Sequence, residues 1–226
     1  MPYLSSCNIA CGGHVGDKDS IIQTIQLAKK HKVAVGAHPS YPDRENFGRL
    51  SMNMAPNELL SSMDQQLDLF YKLCADLDVI VHHIKPHGAL YNDMAADSDF
   101  SLGILSHLQQ KYGDIMVYLL ADSKATIAGL TLDLPVKGEV FIDRAYEHKT
   151  ALVSRSQPRA VISDTLTMAK KLDSYIQSKI LDNKGITHQA LLETICIHGD
   201  HPNATENARF IHQHLSVNEV RIAACR

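Results

Sequence analysis

Short apolar runs alternate along the chain with longer stretches in which apolar residues recur every three or four positions, the pattern of strands interleaved with amphipathic helices. Strand runs fall at 33–38, 79–84, 115–120, 139–142 and 194–197, with a weaker one at 7–10. Asp17 stands where it would cap a helix with the apolar face Ile21, Ile22, Ile25 and Ala28, ending near His31 and Lys32, cations that suit a C-terminal dipole. After a long loop from His38 to Ala55, Pro56 opens a second helix through Leu59, Leu60, Met63, Leu67 and Phe70. Further helical segments are predicted near 99–111, 159–181 and 203–214. No linker or low-complexity stretch divides the chain, so it reads as one α/β domain over 1–226 built on a parallel sheet.

The strand ends choose between an open doubly wound sheet and a barrel. The first run leads into Gly12-Gly13-His14, the second ends at His38, and the third leads into Lys85-Pro86-His87. The run at 139–142 leads into Asp143-Arg144, and that at 194–197 into His198-Gly199-Asp200. Chemistry-bearing residues therefore follow nearly every strand. A barrel gathers all such ends at one mouth, whereas an open sheet gathers only those near its switch point. The expectation is a TIM-barrel-like α/β fold, distorted or incomplete.

Composition narrows the function classes. The 226 residues carry 22 Lys and Arg against 25 Asp and Glu, a net charge of -3, with no basic block to attract nucleic acid or an anionic membrane. No apolar run reaches the roughly 18 residues of a membrane span. The first residues lack the regions of a signal peptide, and five cysteines at irregular spacing suit a reducing compartment, so a cytoplasmic protein is expected. Thirteen histidines are the compositional oddity.

His14, His38, His87 and His198 each follow a strand beside Gly or Pro, and imidazole suits both proton transfer and metal ligation near neutral pH. Asp43, Asp143 and Asp200 add carboxylates at the same strand ends or in the following loops, whereas Asp17 reads more simply as a cap. Asp200 could instead cap the helix near 203. Asp143-Arg144 reads equally as an ion pair or a substrate clamp. Lys85, at the end of a buried strand, is hard to explain as solvated surface. Adjacent His82 and His83 point to opposite faces and read as packing or support. The charged loop from Tyr41 to Arg49 is long enough to be a lid or a partner surface. Cys7, Cys11 and Cys196 read as core residues rather than a zinc site. There is no GxxxxGK[ST], GxGxxG or GxSxG, so if ATP is used this chain does not hold it by those motifs.

Taken together, Asn8-Ile9-Ala10-Cys11-Gly12-Gly13-His14-Val15-Gly16-Asp17, Gly36-Ala37-His38-Pro39-Ser40-Tyr41-Pro42-Asp43-Arg44, Lys85-Pro86-His87-Gly88-Ala89-Leu90-Tyr91-Asn92, the stretch 139–146 and Cys196-Ile197-His198-Gly199-Asp200 resemble the LamB/YcsF family over nearly the whole chain. The resemblance implies a barrel related to carbohydrate deacetylases. It also implies the role of A subunit in ATP-dependent opening of 5-oxo-L-proline to L-glutamate, with B and C subunits as partners. On that reading ATP with magnesium is bound by the partners, and the chain alone is inactive. Lys85 or Arg144 would bind the substrate carboxylate, with Asp143 beside Arg144. Asp43 or Asp200 would be the base, and His14, His38, His87 or His198 would carry protons or bind a metal, whose presence the pattern leaves open. Three features depart from the family: an expected N-terminal strand is missing before Asn8, Gly13 replaces an aromatic residue, and His148-Lys149-Thr150 replaces an Asp-Gly turn. Two alternatives are a metal-dependent deacetylase-like amidohydrolase and a non-catalytic 5-oxoproline-binding subunit.

Overall fold

The structure is a computed structural model, and it describes residues 1–201 and 203–226. It divides into two compact units, Met1–Leu119 with Lys124–Val136, and Leu120–Ser123 with Lys137–Arg226.

The first unit contains, in chain order, β1 (Ser6–Ala10), α1 (Lys18–His31), β2 (Ala34–His38), α2 (Pro56–Asp76), β3 (Val81–Ile84), α3 (Gly88–Ala96), α4 (Ser98–Tyr112), β4 (Met116–Leu120) and α5 (Lys124–Thr131), with Leu120 itself assigned to the second unit. β1, β2, β3 and β4 lie in that order, each parallel to the next. The predicted caps form: the Asp17 carboxylate accepts the Ser20 N–H while the Ser20 hydroxyl accepts the Asp17 N–H, and Lys32 ends α1 in the left-handed region at φ 56°. Pro56 takes the first turn of α2, where its missing N–H costs no helical bond.

Ile21, Ile25 and Ala28 of α1 and Leu59, Met63, Leu67 and Phe70 of α2 are buried with Val35, Ala37, Ile84 and Val117 of the strands. Each such aliphatic or aromatic side chain contributes about 1.5–3 kcal/mol by leaving water, so Leu67→Ala costs about 2–5 kcal/mol once its cavity is included. Of the two adjacent histidines, His83 points inward. It is fully buried, stacks on Tyr118 at 3.9 Å, and donates from Nε2 to Asn8 Oδ1 at 2.7 Å. β2 accommodates it only because position 36 is glycine, where a Cβ would fall 2.1 Å from His83 Nε2.

The second unit continues with β5 (Val136–Phe141, its first residue in the first unit), β6 (Tyr146–His148), β7 (Ala151–Leu152), α6 (Thr165–Ile176), β8 (Lys179–Leu181), β9 (Thr187–Gln189), β10 (Thr194–Cys196) and α7 (Ala204–Val217). β10 runs parallel to β5, with Thr194 opposite Glu139 and Cys196 opposite Phe141. β6–β7 and β8–β9 are antiparallel hairpins.

The helix expected over 159–181 is shorter at both ends. Arg159 is left-handed at φ 64°, and the helix starts only after Asp164, whose carboxylate accepts the Thr167 N–H. At the other end Lys179–Leu181 enters the β8–β9 hairpin, tied by the Asp182 carboxylate, which accepts from Lys184 N–H, Ile186 N–H and His188. α3, α5 and both hairpins go beyond the predicted elements, because they are short and carry no sustained period. No helix among the described residues is long and apolar enough to cross a membrane.

Candidate functional site

The residues singled out from the sequence fall into two groups, one in each unit. In the first unit, the β1–α1 turn delivers His14, the end of β2 delivers His38, and the segment after β3 delivers Lys85 and His87. His14 stacks on His87 with ring centroids 3.7 Å apart and planes 6° from parallel, and both rings meet His38 edge-on. The loop after β2 covers them: Phe47 lies edge-on to His14 and His87, at 5.1 and 5.4 Å. Gly48 allows this approach, with φ +62° and a hypothetical Cβ only 3.0 Å from the His14 Cβ. Arg44 fastens the loop to the β1–α1 turn by donating to the carbonyls of Gly12 and Gly16 at 2.8 and 2.9 Å. Tyr41 donates its hydroxyl to Asp93 at 2.9 Å.

Proton positions follow from the partners. His38 Nδ1 lies 2.6 Å from the Lys85 carbonyl and His87 Nε2 lies 2.9 Å from the Phe47 carbonyl, so both nitrogens must donate. His38 Nε2 and His87 Nδ1 face each other at 3.0 Å, and that contact needs one more hydrogen. Burial, then His87, Lys85 and His14, push His38 well below the ordinary histidine range, outweighing its bond to the Lys85 carbonyl. Burial, His87, Arg49 and Arg44 push His14 down to about 3, so His14 is neutral at pH 7.

Two buried polar atoms here have no hydrogen-bond partner among the described residues, His14 Nδ1 and Asp43 Oδ2. The other Asp43 oxygen accepts from the backbone and side chain of Asn46. An unsatisfied buried polar atom costs about 1–3 kcal/mol, which makes these two the atoms of the group equipped to engage a ligand. Lys85 is buried, its ammonium 5.7 Å from the centre of the Tyr91 ring.

In the second unit the turn after β5 presents Asp143 and the segment after β10 presents His198. The Asp143 carboxylate accepts the His198 backbone N–H at 2.8 Å and its ring Nδ1–H at 2.9 Å. Burial would raise the Asp143 carboxyl, but the hydrogen bonds and charge of His198 outweigh it and hold the group below the usual carboxylate range. The carboxylate thereby fixes the His198 proton on Nδ1 and leaves Nε2 with a lone pair, the tautomer of a general base. His198 also stacks on Phe141 at 5.6 Å.

Arg144 donates to the carbonyls of Val153 and Ala160 at 2.6 and 3.3 Å, holding the loop that follows it. Asp200 is exposed, its carboxylate 3.9 Å from Arg155, and α7 carries no side-chain cap. Phe47 lies in the loop with aromatic anchors that the sequence suggested as a lid; sequence reasoning missed Arg44 as a fastener and Lys171, a lysine on the apolar stripe Met168, Leu172 and Tyr175 of α6. That stripe was the available signal for Lys171.

Among the described residues, no three His, Cys, Asp or Glu side chains are arranged to hold a metal ion, and His38 and His87 already have a partner at every ring nitrogen.

Comparison with known proteins bears on the whole chain. The model of the LamB/YcsF family matches residues 1–226. The A subunit of 5-oxoprolinase from Limosilactobacillus fermentum is 37% identical over 226 residues, covering 100% of this chain and 90% of that protein. The A subunit of 5-oxoprolinase from Pyrococcus horikoshii is 35% identical over 223 residues, covering 98% and 88% respectively. The crystal structure of the lactam utilization protein from Thermus thermophilus superposes with a TM-score of 0.90 at 32% identity, covering 99% of this chain and 90% of that one. The fold class is accordingly α/β and TIM-barrel-like, as the strand ends predicted.

Proposed function

This chain belongs to the LamB/YcsF family, and we propose that it is the A subunit of an ATP-dependent 5-oxoprolinase, opening the lactam of 5-oxo-L-proline to L-glutamate in the cytoplasm together with B and C subunits. The observation that carries the chemistry is the Asp143–His198 pair, a buried carboxylate holding an imidazole in the tautomer that accepts a proton at Nε2.

A lactam is a resonance-stabilised amide, so the attacking water must lose a proton as its oxygen bonds to the carbonyl carbon, and the ring nitrogen must gain one as the carbon–nitrogen bond breaks. His198 Nε2 takes the first proton and returns it to the nitrogen, while Asp143 stabilises the transient imidazolium. The His38–His87 pair is assigned to proton storage, and His14 Nδ1, Asp43 Oδ2 and Lys85 to engaging polar groups of a ligand. ATP with magnesium is assigned to the partner subunits, since no phosphate-cradling glycine motif occurs in this chain.

The test is glutamate release by this chain alone, by the chain mixed with B and C subunits, and by the same mixture carrying His198→Gln. The mixture is expected to turn over, the isolated chain not to, and the variant to lose about 100- to 1000-fold in kcat. ATP-dependent release by the isolated chain would overturn the division of labour, and full turnover by the variant would remove His198 from the chemistry.

A further inference from the structure

The turn that carries Asp143 is held from behind by a group the proposed chemistry does not use. Lys171 is 3% exposed on the buried face of α6. Its ammonium donates to the carbonyl of Phe141 at 2.7 Å and to that of Arg144, the two carbonyls that bracket the approach to Asp143 and its exit. It lies 5.1 Å from the Tyr146 ring centre and 5.8 Å from that of Tyr175. Tyr175 donates its hydroxyl to the same Phe141 carbonyl at 2.8 Å, and the Tyr146 hydroxyl accepts the Phe141 N–H at 2.9 Å. The hydrogen bonds of Lys171, Tyr175 and Tyr146 in this cluster all end on the backbone of Phe141 or Arg144. A leucine or methionine would fill this position on the apolar stripe without the desolvation of a charge, so packing alone does not account for a lysine. Burial lowers Lys171 to about 7, with Asp143 raising it and Arg144 lowering it.

We infer that Lys171 is a positioning residue: by bridging the Phe141 and Arg144 carbonyls it fixes the turn that aims the Asp143 carboxylate at His198 Nδ1, and through it the tautomer of His198. The inference rests on reading Asp143 and His198 as the proton-transferring pair. Its test is made on the isolated chain, where no turnover is needed. Long-range imidazole NMR of the protein labelled with nitrogen-15 histidine reads the His198 tautomer in the unaltered chain and in Lys171→Met and Lys171→Gln. The unaltered chain is expected to show Nδ1–H alone, Lys171→Met to lose that single pattern, and Lys171→Gln, whose amide still donates, to recover it in part. A folded Lys171→Met that keeps pure Nδ1–H overturns the inference.

Should Lys171→Met not fold, the unaltered chain labelled with nitrogen-15 lysine decides. At pH 5.5, where Lys171 is an ammonium, a slowly exchanging side-chain signal is expected from a group held on two carbonyls, and rapid exchange there overturns the role. In the assembled enzyme kcat is expected to fall about tenfold in Lys171→Gln, with KM within about twofold. Because the tautomer is read without turnover, that result stands whichever way the His198→Gln assay falls.

Discussion

The two histidine groups differ in what holds their protons. In the first unit His38 and His87 end on backbone carbonyls and face each other, and the ring contacts described for them involve no carboxylate. In the second, His198 faces a buried carboxylate that fixes one tautomer, with 23% of the His198 side chain exposed. The same residue type at equivalent strand ends thus becomes a buried proton store in one place and an accessible base in the other. The ring partners make the difference: backbone carbonyls at His38 Nδ1 and His87 Nε2, and a carboxylate at His198 Nδ1.

The largest expected effect tests that contrast directly. Asp143→Asn presents an amide where the carboxylate was, frees His198 to take the other tautomer, and is expected to lower turnover of the assembled enzyme about 100-fold, approaching the loss in His198→Gln, whereas His38→Gln is expected to cost about tenfold. Steady-state kinetics of both variants decide it, and the reverse order of losses would move the base to the first unit.

Next is the response to pH. His14 and His83 are each pushed down to about 3, His14 by burial, His87 and the two arginines, and His83 by burial, His82 and Lys85. Both therefore bind protons more readily in the unfolded chain. Their contribution to stability is fully present above about pH 6.5 and is lost as pH falls through that value, by about 1.4 kcal/mol for each at pH 5.5. Asp143 lies below its ordinary value, so its contribution is lost only below about pH 4, and Lys171, lowered to about 7, gives the second unit a smaller loss of about 1 kcal/mol over the same range. With His38 and Lys171 shifted in the same direction, urea unfolding at pH 7.5 and 5.5 is expected to show a drop of at least about 3 kcal/mol, and a flat response would mean that these rings are charged when folded.

Smaller effects probe the covering loop of the first unit. Gly48→Ala places a methyl group against His14 and His87 at a left-handed position, and about 2 kcal/mol of stability is expected to be lost in thermal or urea unfolding. Arg44→Met removes two bonds from an exposed guanidinium to the Gly12 and Gly16 carbonyls, and about 1 kcal/mol is expected by the same measurement. An Arg44→Met loss as large as that of Gly48→Ala would mean that the fastening, rather than the close approach, holds the loop over the rings.

The six parallel strands, α1, α2, α4 and α7 were legible in the sequence, because each carries a period, a cap or a proline whose effect is local. The strand-end histidines and Asp143 were legible as candidates for the same reason, since position after a strand can be counted along the chain. α3, α5 and the hairpins β6–β7 and β8–β9 were not, being too short to show a period. Nor could local rules anticipate that the 159–181 stretch would be helical only over Thr165–Ile176, where Asp164 caps one end and a hairpin takes over at the other.

What sequence alone determined was which residues stand at strand ends and which family's motifs they compose. Only tertiary structure decided what each of them does. The proton of His198 is placed by a carboxylate 55 residues away, that of His38 by a carbonyl 47 residues away, and the role of Lys171 by carbonyls 30 and 27 residues before it. Tautomer, charge and donor geometry are set by which atoms come within about 3 Å, and contacts between residues so far apart in the chain exist only once the strands and helices have packed.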